Sequence, residues 1–310
     1  MSAEFALVGP ILAAMFAAAT PLLFAALGEA VTEKSGVLNL GVEGMMLMGA
    51  VCGFAITVKT GSAPLGLLIA AGAGAAMGAL FGVLTLLLLA NQVATGLALT
   101  LFGVGLSALV GQGFVGIPLE GLPKLHIPVL SDLPVVGQAV FGQDLLVYLG
   151  IAAVPLVHLF LYRTRAGLVL RAVGENHHAA HALGYKVIRI RFLAVMFGGA
   201  MSGLGGAFLS MDYTPMWAEN ITAGRGWIAL ALVVFATWKP VRVMLGAWLF
   251  GGVTIAQLHV QGFGIDIPSQ ILSMLPYLAT VLVLVLISRD VARIRLNAPA
   301  CLGKLFHPDS

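Results

Sequence analysis

Long, nearly unbroken apolar stretches run the length of this chain, with the charged residues gathered into the short segments between them. A helix that crosses a bilayer needs about 20 consecutive, predominantly apolar residues. Measured against that length, candidate spans fall at 8–27, 37–58, 63–89, 93–112, 145–162, 192–211, 241–258 and 270–288. A shorter apolar segment, 226–237, is either half of a broken span or a full span with a polar outer end, because Thr222, Gly224 and Arg225 extend it poorly. The pattern predicts an all-α fold: a polytopic transmembrane helical bundle of 8 to 10 spans forming a single domain over 1–310. The run from Leu7 to Leu27 is longer than a signal-peptide core and lacks a positive segment before it, so it reads as a first span that is retained.

Composition agrees with the pattern. Hydrophobic residues make up 60% of the chain, charged residues 9%, and the mean hydropathy is +1.02. A soluble domain places about a quarter of its residues in Asp, Glu, Lys and Arg, because its surface must be solvated. The net charge of +3 does not signal a nucleic-acid partner, since the basic residues sit beside apolar segments and form no face with interleaved aromatics. They read as topology signals. The 163–191 connection holds Arg163, Arg165, Arg171, Lys186, Arg189 and Arg191 against one acid, Glu175, which predicts a cytoplasmic loop. The C-terminal tail, with Arg289, Arg293, Arg295 and Lys304, and the Lys239–Arg242 turn belong on the same side. The 113–144 segment carries Glu120, Asp132 and Asp144 against Lys124, and Pro118, Pro123, Pro128 and Pro134 interrupt any helix; it is expected outside. Nine full crossings put the C-terminus inside and the N-terminus outside, whereas a tenth crossing hidden in 63–89 would reverse the N-terminus. Cys52 and Cys301 offer neither a disulfide framework nor a metal-ligand spacing.

The 39 glycines cluster within apolar segments, as in Gly72-Ala73-Gly74 and Gly198-Gly199-Ala200, where small residues let helices approach closely in lipid. Polar side chains at membrane depth are costly unless they face protein or water, so the few present are informative. Asn39 and Glu43 lie four residues apart, which on a helix is one face; such a face either lines a polar path or pins its helix to neighbours. The loop Asn220 to Gly226 leads into the short apolar segment, and a helix N-terminus reached that way presents backbone amides to a hydroxyl or carboxylate. Trp227 offers a stacking surface or an interfacial anchor. With Asn91 and Gln92, the substrate-path candidates are Asn39, Glu43, Asn91, Gln92, Arg225 and Trp227.

Enzymatic motifs are missing. Lys34-Ser35 and Lys59-Thr60 mimic the end of a P-loop, but neither lysine follows a glycine. His177, His178 and His181 cluster, and positions four apart share a helix face, but no further ligand lies nearby, which argues poorly for a metal site. The stretch from Glu175 to Gly184 reads as a short helix at the tip of the basic loop, ended by Gly184 and suited to docking into a partner.

This loop, with its Ala179-Ala180 pair followed by Gly184, resembles the coupling segment of ABC importer permeases. The stretch from Gly28 to Gly49, the Thr95-Gly96-Leu97-Ala98-Leu99-Thr100 span and the segment from Thr222 to Leu230 resemble permeases of the branched-chain amino acid and simple-sugar superfamily. Within it, the nucleoside/simple-sugar branch is the most similar, over roughly 25–290. The resemblance implies a non-enzymatic, multi-pass subunit of a bacterial plasma (inner) membrane importer, translocating nucleosides or related simple sugars. It implies a cytoplasmic ATP-binding cassette ATPase that binds the ATP and Mg itself, a second permease subunit and an extracytoplasmic substrate-binding lipoprotein, with no cofactor in this chain. Glu175, Asn176, Ala179, Ala180 and Gly184 would then form the ATPase-coupling loop; His177-His178 stand where relatives commonly have acidic or amide residues. The rival reading is a self-sufficient secondary transporter or channel for a small polar solute, for which Glu43 is the one deep acid available.

Overall fold

In a bilayer the backbone must satisfy its own polar groups, and this chain does so with helices. The computed structural model describes residues 3–125, 131, 137–262, 271, 274–288 and 297–307. Its elements, in order, are α1 (Ala3–Lys34), α2 (Val42–Thr60), α3 (Ala63–Gly82), α4 (Gln92–Gly111), α5 (Leu145–Arg163), α6 (Arg165–Glu175), α7 (His177–Ala182), α8 (Val187–Phe208), α9 (Arg225–Phe235), α10 (Pro240–Gly262) and α11 (Leu275–Ser288). Among the described residues there is no strand, only isolated bridges such as Val115 to Trp217 where the long 113–144 segment crosses the end of α8.

Among the described residues, seven helices are long and apolar enough to cross a membrane: Val8–Lys34, Val42–Thr60, Ala63–Leu87, Gln92–Phe114, Leu145–Arg163, Val187–Tyr213 and Pro240–His259. Helices α9 and α11 are shorter, with 11 and 14 residues, and the expected 270–288 span falls partly outside the described residues. The 63–89 stretch hides no extra crossing, because α3 runs on through a π-helical turn, Val83–Leu87. A similar turn, Leu209–Tyr213, extends α8.

Helices α1, α2 and α8 form the interior, and α3, α4, α5 and α10 surround it. Gly49, Gly74, Gly199 and Gly203 bring α2, α3 and α8 together backbone against backbone, where any Cβ would collide with the facing helix. The outer helices turn leucines outward, Leu101 on α4, Leu156 on α5 and Leu245 on α10 among them. In water that surface would be an aggregation hazard, whereas in lipid it is the solvated face.

Candidate functional site

Two stretches of non-helical backbone meet inside the bundle. The first joins α1 to α2. After Lys34 the chain turns at Ser35-Gly36 and runs extended through Val37, Leu38 and Asn39, with Val37 and Asn39 fully buried. The second, 214–224, leads from the end of α8 into α9.

Glu43, in the first turn of α2, ties them. Its Oε1 accepts hydrogen bonds from Thr222 Oγ1 (2.6 Å) and Gly224 N (2.8 Å), and its Oε2 from Gly226 N (2.6 Å). The carboxylate thus caps the N-terminus of α9, where the helix dipole and free amides favour negative charge. Gly226 permits the approach, since a Cβ there would sit 2.6 Å from the Glu43 Cα. The α9 helix has 11 residues, about 16 Å at 1.5 Å per residue. At its other end Trp238 Nε1 donates to Glu33 Oε2 near the end of α1. The Glu43 knot therefore lies roughly half a hydrocarbon thickness, about 15 Å, from that end. Irregular backbone at such depth persists only when protein covers it, as here.

The expected Asn39–Glu43 helix face is corrected by this geometry. Asn39 precedes the helix, and its Oδ1 accepts from Gly41 N at 2.9 Å, a local side-chain bond that competes with helical pairing. Glu29 Oε1 accepts from Asn39 N (3.2 Å), Gln92 Oε1 from Leu38 N (2.8 Å), and Thr100 Oγ1 donates to Leu40 O (3.0 Å). Glu29 Oε2 and Gln92 Nε2 are buried and have no partner among the described residues. Both flank the same extended segment, one an acceptor and one a donor.

The other candidates divide. Asn91 is exposed and caps α4, its Oδ1 accepting from Ala94 N at 3.0 Å. Arg225 folds back over its own loop, with Nη1 3.3 Å from Ile221 O and 3.4 Å from Thr222 O, and its guanidinium 5.8 Å from the Tyr213 ring. Trp227 is exposed on α9. The loop itself holds Asn220 and Ala223 in left-handed backbone (φ 56° and 45°), and Tyr277 Oη of α11 donates to Ala223 O. Such strain persists only where surrounding contacts fix it.

At the basic end, α6 stops at Glu175, Asn176 caps α7 through Ala179 N (2.9 Å), and Gly184 (φ +86°) closes it, with Tyr185 N donating to Ala180 O (3.1 Å). Ala179 faces outward and Ala180 inward. Leu183, 78% exposed, and Tyr185 form an apolar tip. The helix is anchored by a residue that the basic-loop count treated as a topology signal. Arg191 of α8 is buried and donates to Ser35 O (3.1 Å), to Lys304 O (3.1 Å) and to His177 Nδ1 (2.9 Å). Phe306 of the tail packs among the rings of His177, His178 and His181, at 5.2, 5.7 and 5.4 Å. The three histidines therefore form an aromatic clasp. Burial first, then the Arg191 guanidinium, His178 and Lys304, push the His177 imidazole down to about 4.

The family described as the permease component of the branched-chain amino acid transport system matches residues 11–287. This chain belongs to that family. It is the membrane permease subunit of an ABC importer and a multi-pass protein of the plasma membrane. The permease is 41% identical to a protein of Haloferax volcanii named as a candidate glucose ABC transporter permease, over 94% of this chain and 95% of that one. It is 36% identical to a nucleoside ABC transporter permease of Lactococcus lactis, over 89% and 91% of the two chains. A guanosine ABC transporter permease of Bacillus subtilis is 34% identical, over 86% and 88%. No solved structure matches. Membership in this family implies, in general, an ATPase partner and a substrate-binding protein.

Sequence reasoning missed Glu29, Glu33, Arg191 and Phe306 as organising residues of this permease. For Arg191 a signal existed: Val187, Ala194, Val195 and Gly198 lie four, three, four and seven residues away and are all buried, so Arg191 stands on the inner stripe of α8. For Phe306, in a short irregular tail, periodicity offers none.

Proposed function

We propose that this permease carries a nucleoside or a related simple sugar inward, paired with a second permease. In this reading the 163–191 loop is cytoplasmic, the 113–144 segment is extracytoplasmic, and an extracytoplasmic binding lipoprotein delivers the substrate. ATP hydrolysis belongs to a separate ATPase, which docks on Glu175, Asn176, Ala179 and Gly184 with Leu183 and Tyr185 at the tip, while Ala180 seats the helix on the bundle. The observation that carries the reading is the Arg191 hub. It joins α7 directly to α8 and, through Ser35 O, to the end of α1. Load applied to α7 therefore reaches two interior helices, and a two-state rocking of the bundle needs such a connection.

The substrate passes the string of polar groups beside the non-helical 35–41 segment. Gln92, with its unpartnered Nε2, and Glu29, with its unpartnered Oε2, offer a donor and an acceptor to hydroxyls, and Arg225 and Trp227 open α9, whose N-terminus Glu43 caps. Asn39 and Glu43 hold the wall. Relatives named for glucose, nucleosides and guanosine support a polyhydroxyl ligand with or without a base.

The test is uptake of radiolabelled guanosine, adenosine, ribose and glucose by cells lacking this chain, complemented with the wild type or with Leu183→Asp. The expected result is that wild type restores uptake of at least one of these ligands and Leu183→Asp restores none while reaching the membrane at normal levels. Restoration of none by wild type overturns the substrate class, and normal uptake by Leu183→Asp overturns the coupling assignment.

A further inference from the structure

An apolar groove of about 610 Å³ opens on the outer face of the bundle between α1, α5, α6 and α8. That volume falls in the range of about 300–1,000 Å³ typical of small-molecule sites. Its walls include Val31, Leu156, Phe160, Val169, Leu193 and Phe197, and every lining residue is apolar. Leu156, Leu193 and Phe197 are exposed.

The helices that build it each carry an arginine at the basic end. On α5, Arg163 follows Phe160 by three residues and Leu156 by seven; on α6, Arg165 precedes Val169 by four; on α8, Arg189 precedes Leu193 by four and Phe197 by eight. Residues at these spacings share a helix face. By this spacing the three arginines stand beyond the greasy walls at the basic end of the groove rather than in its lining, and Arg189 also lines a neighbouring cavity with Leu87, Lys186 and Phe192. All three are exposed, and none of their side chains has a hydrogen bond or ion pair with another described residue. The 163–191 connection supplies a single acid, Glu175, at the opposite end of α6.

We propose that this groove is a binding site for an acidic phospholipid, one acyl chain lying along α5 and α8 and the headgroup phosphate held by Arg163, Arg165 and Arg189. The site lies in the cytoplasmic leaflet, given the orientation stated above. Three unpaired guanidiniums match a phosphate in fork geometry, and a basic pocket between membrane helices on the cytoplasmic side favours anionic over zwitterionic headgroups. A two-fold contact of this face with a second copy would oppose like charges, which disfavours that occupant.

The purified full-length chain, titrated with phosphatidylglycerol or phosphatidylcholine and followed by native mass spectrometry, tests the site. Wild type is expected to retain phosphatidylglycerol on the order of tenfold more strongly. The Arg163→Gln/Arg165→Gln/Arg189→Gln variant should lose that preference, the corresponding triple Lys variant should keep it, and Leu193→Trp, which fills the groove, should lower retention of both lipids. If the Gln variant does not assemble, the Lys variant and Leu193→Trp carry the test. Equal retention of the two headgroups by wild type, an unchanged preference in the Gln variant, loss of preference in the Lys variant, or undiminished retention by Leu193→Trp overturns the proposal. Cross-linking of Leu156→Cys between two copies in native membranes, showing the groove covered by protein, overturns it as well.

Discussion

Glu43 and Arg191 are both buried charged side chains, and each is held by three hydrogen bonds rather than by an opposite charge. Their surroundings differ in two respects. The partners of Glu43 are a hydroxyl and two backbone amides at the start of one helix, an 11-residue helix length away from its Trp238 end. Those of Arg191 are two carbonyls and an imidazole drawn from three separate segments at the basic end of the bundle. A buried amide without an acceptor is rarer and costlier than a carbonyl left with a spare lone pair, and water reaches the basic end more readily than the middle. One knot is therefore chiefly a matter of folding, and the other of transmission between parts that move.

The comparison is broken most directly by removing each charge. Glu43→Ala orphans three donors, two of them buried, and is expected to cost about 3–5 kcal/mol, seen as a large fall in the Tm of the purified chain and in the amount of protein in the membrane. Arg191→Met is expected to cost less, about 1–3 kcal/mol, because its stranded acceptors can be hydrated. Its signature is functional: ATP hydrolysis by the assembled importer persists while substrate uptake falls. Equal losses of stability in the two variants, with uptake and hydrolysis falling in parallel for Arg191→Met, would show that the knots do the same job.

A second experiment sharpens the Arg191 side through pH. His177 takes a hydrogen bond from Arg191 on Nδ1, so only the form with that nitrogen unprotonated fits. Its folded value of about 4 lies below the ordinary histidine value of about 6.5. Between these the unfolded chain binds the extra proton, so the stabilising contribution is complete above about 6.5 and is lost as pH falls toward 4. The groups facing the ring are Arg191 from α8, His178 from α7, and Lys304 and Phe306 from the tail. The Tm of the wild type is expected to drop over that window. His177→Asn, whose amide oxygen accepts at every pH, should show a shallower drop. Superimposable pH profiles would remove His177 from the knot.

How much of this could be read beforehand follows the same division. The long apolar helices were legible because lipid imposes a length and a composition, and the termination of α7 at Gly184 was legible because a left-handed residue there favours glycine. Glu43 was visible as a deep acid. Its role was not, since its partners lie some 180 residues away and one non-helical turn at Asn39 took the pair off a common face. Arg191 was hidden by its company. Counted with five other basic residues it marked a side of the membrane, and only its place on the inner stripe of α8 set it apart. The aromatic clasp on Phe306 joins two segments with no shared periodicity, so only folding brings them together.

The smallest expected effect concerns Asn91, a path candidate that lies next to Gln92 but plays a different part. Its side chain caps α4, and loss of an N-cap costs about 1 kcal/mol, so Asn91→Ala should lower the Tm slightly and leave the KM for uptake unchanged. Asn91→Ser keeps a capping oxygen and should restore the Tm. The pair separates two roles that a single substitution would confuse. A raised KM in Asn91→Ser, whose helix is intact, has no explanation in capping and would place Asn91 against the substrate, beside the unpartnered Gln92 Nε2. An unchanged KM there, with a raised one in Gln92→Leu, confines the contact to the buried neighbour and makes the non-helical 35–41 segment, rather than the exposed start of α4, the wall that the substrate passes.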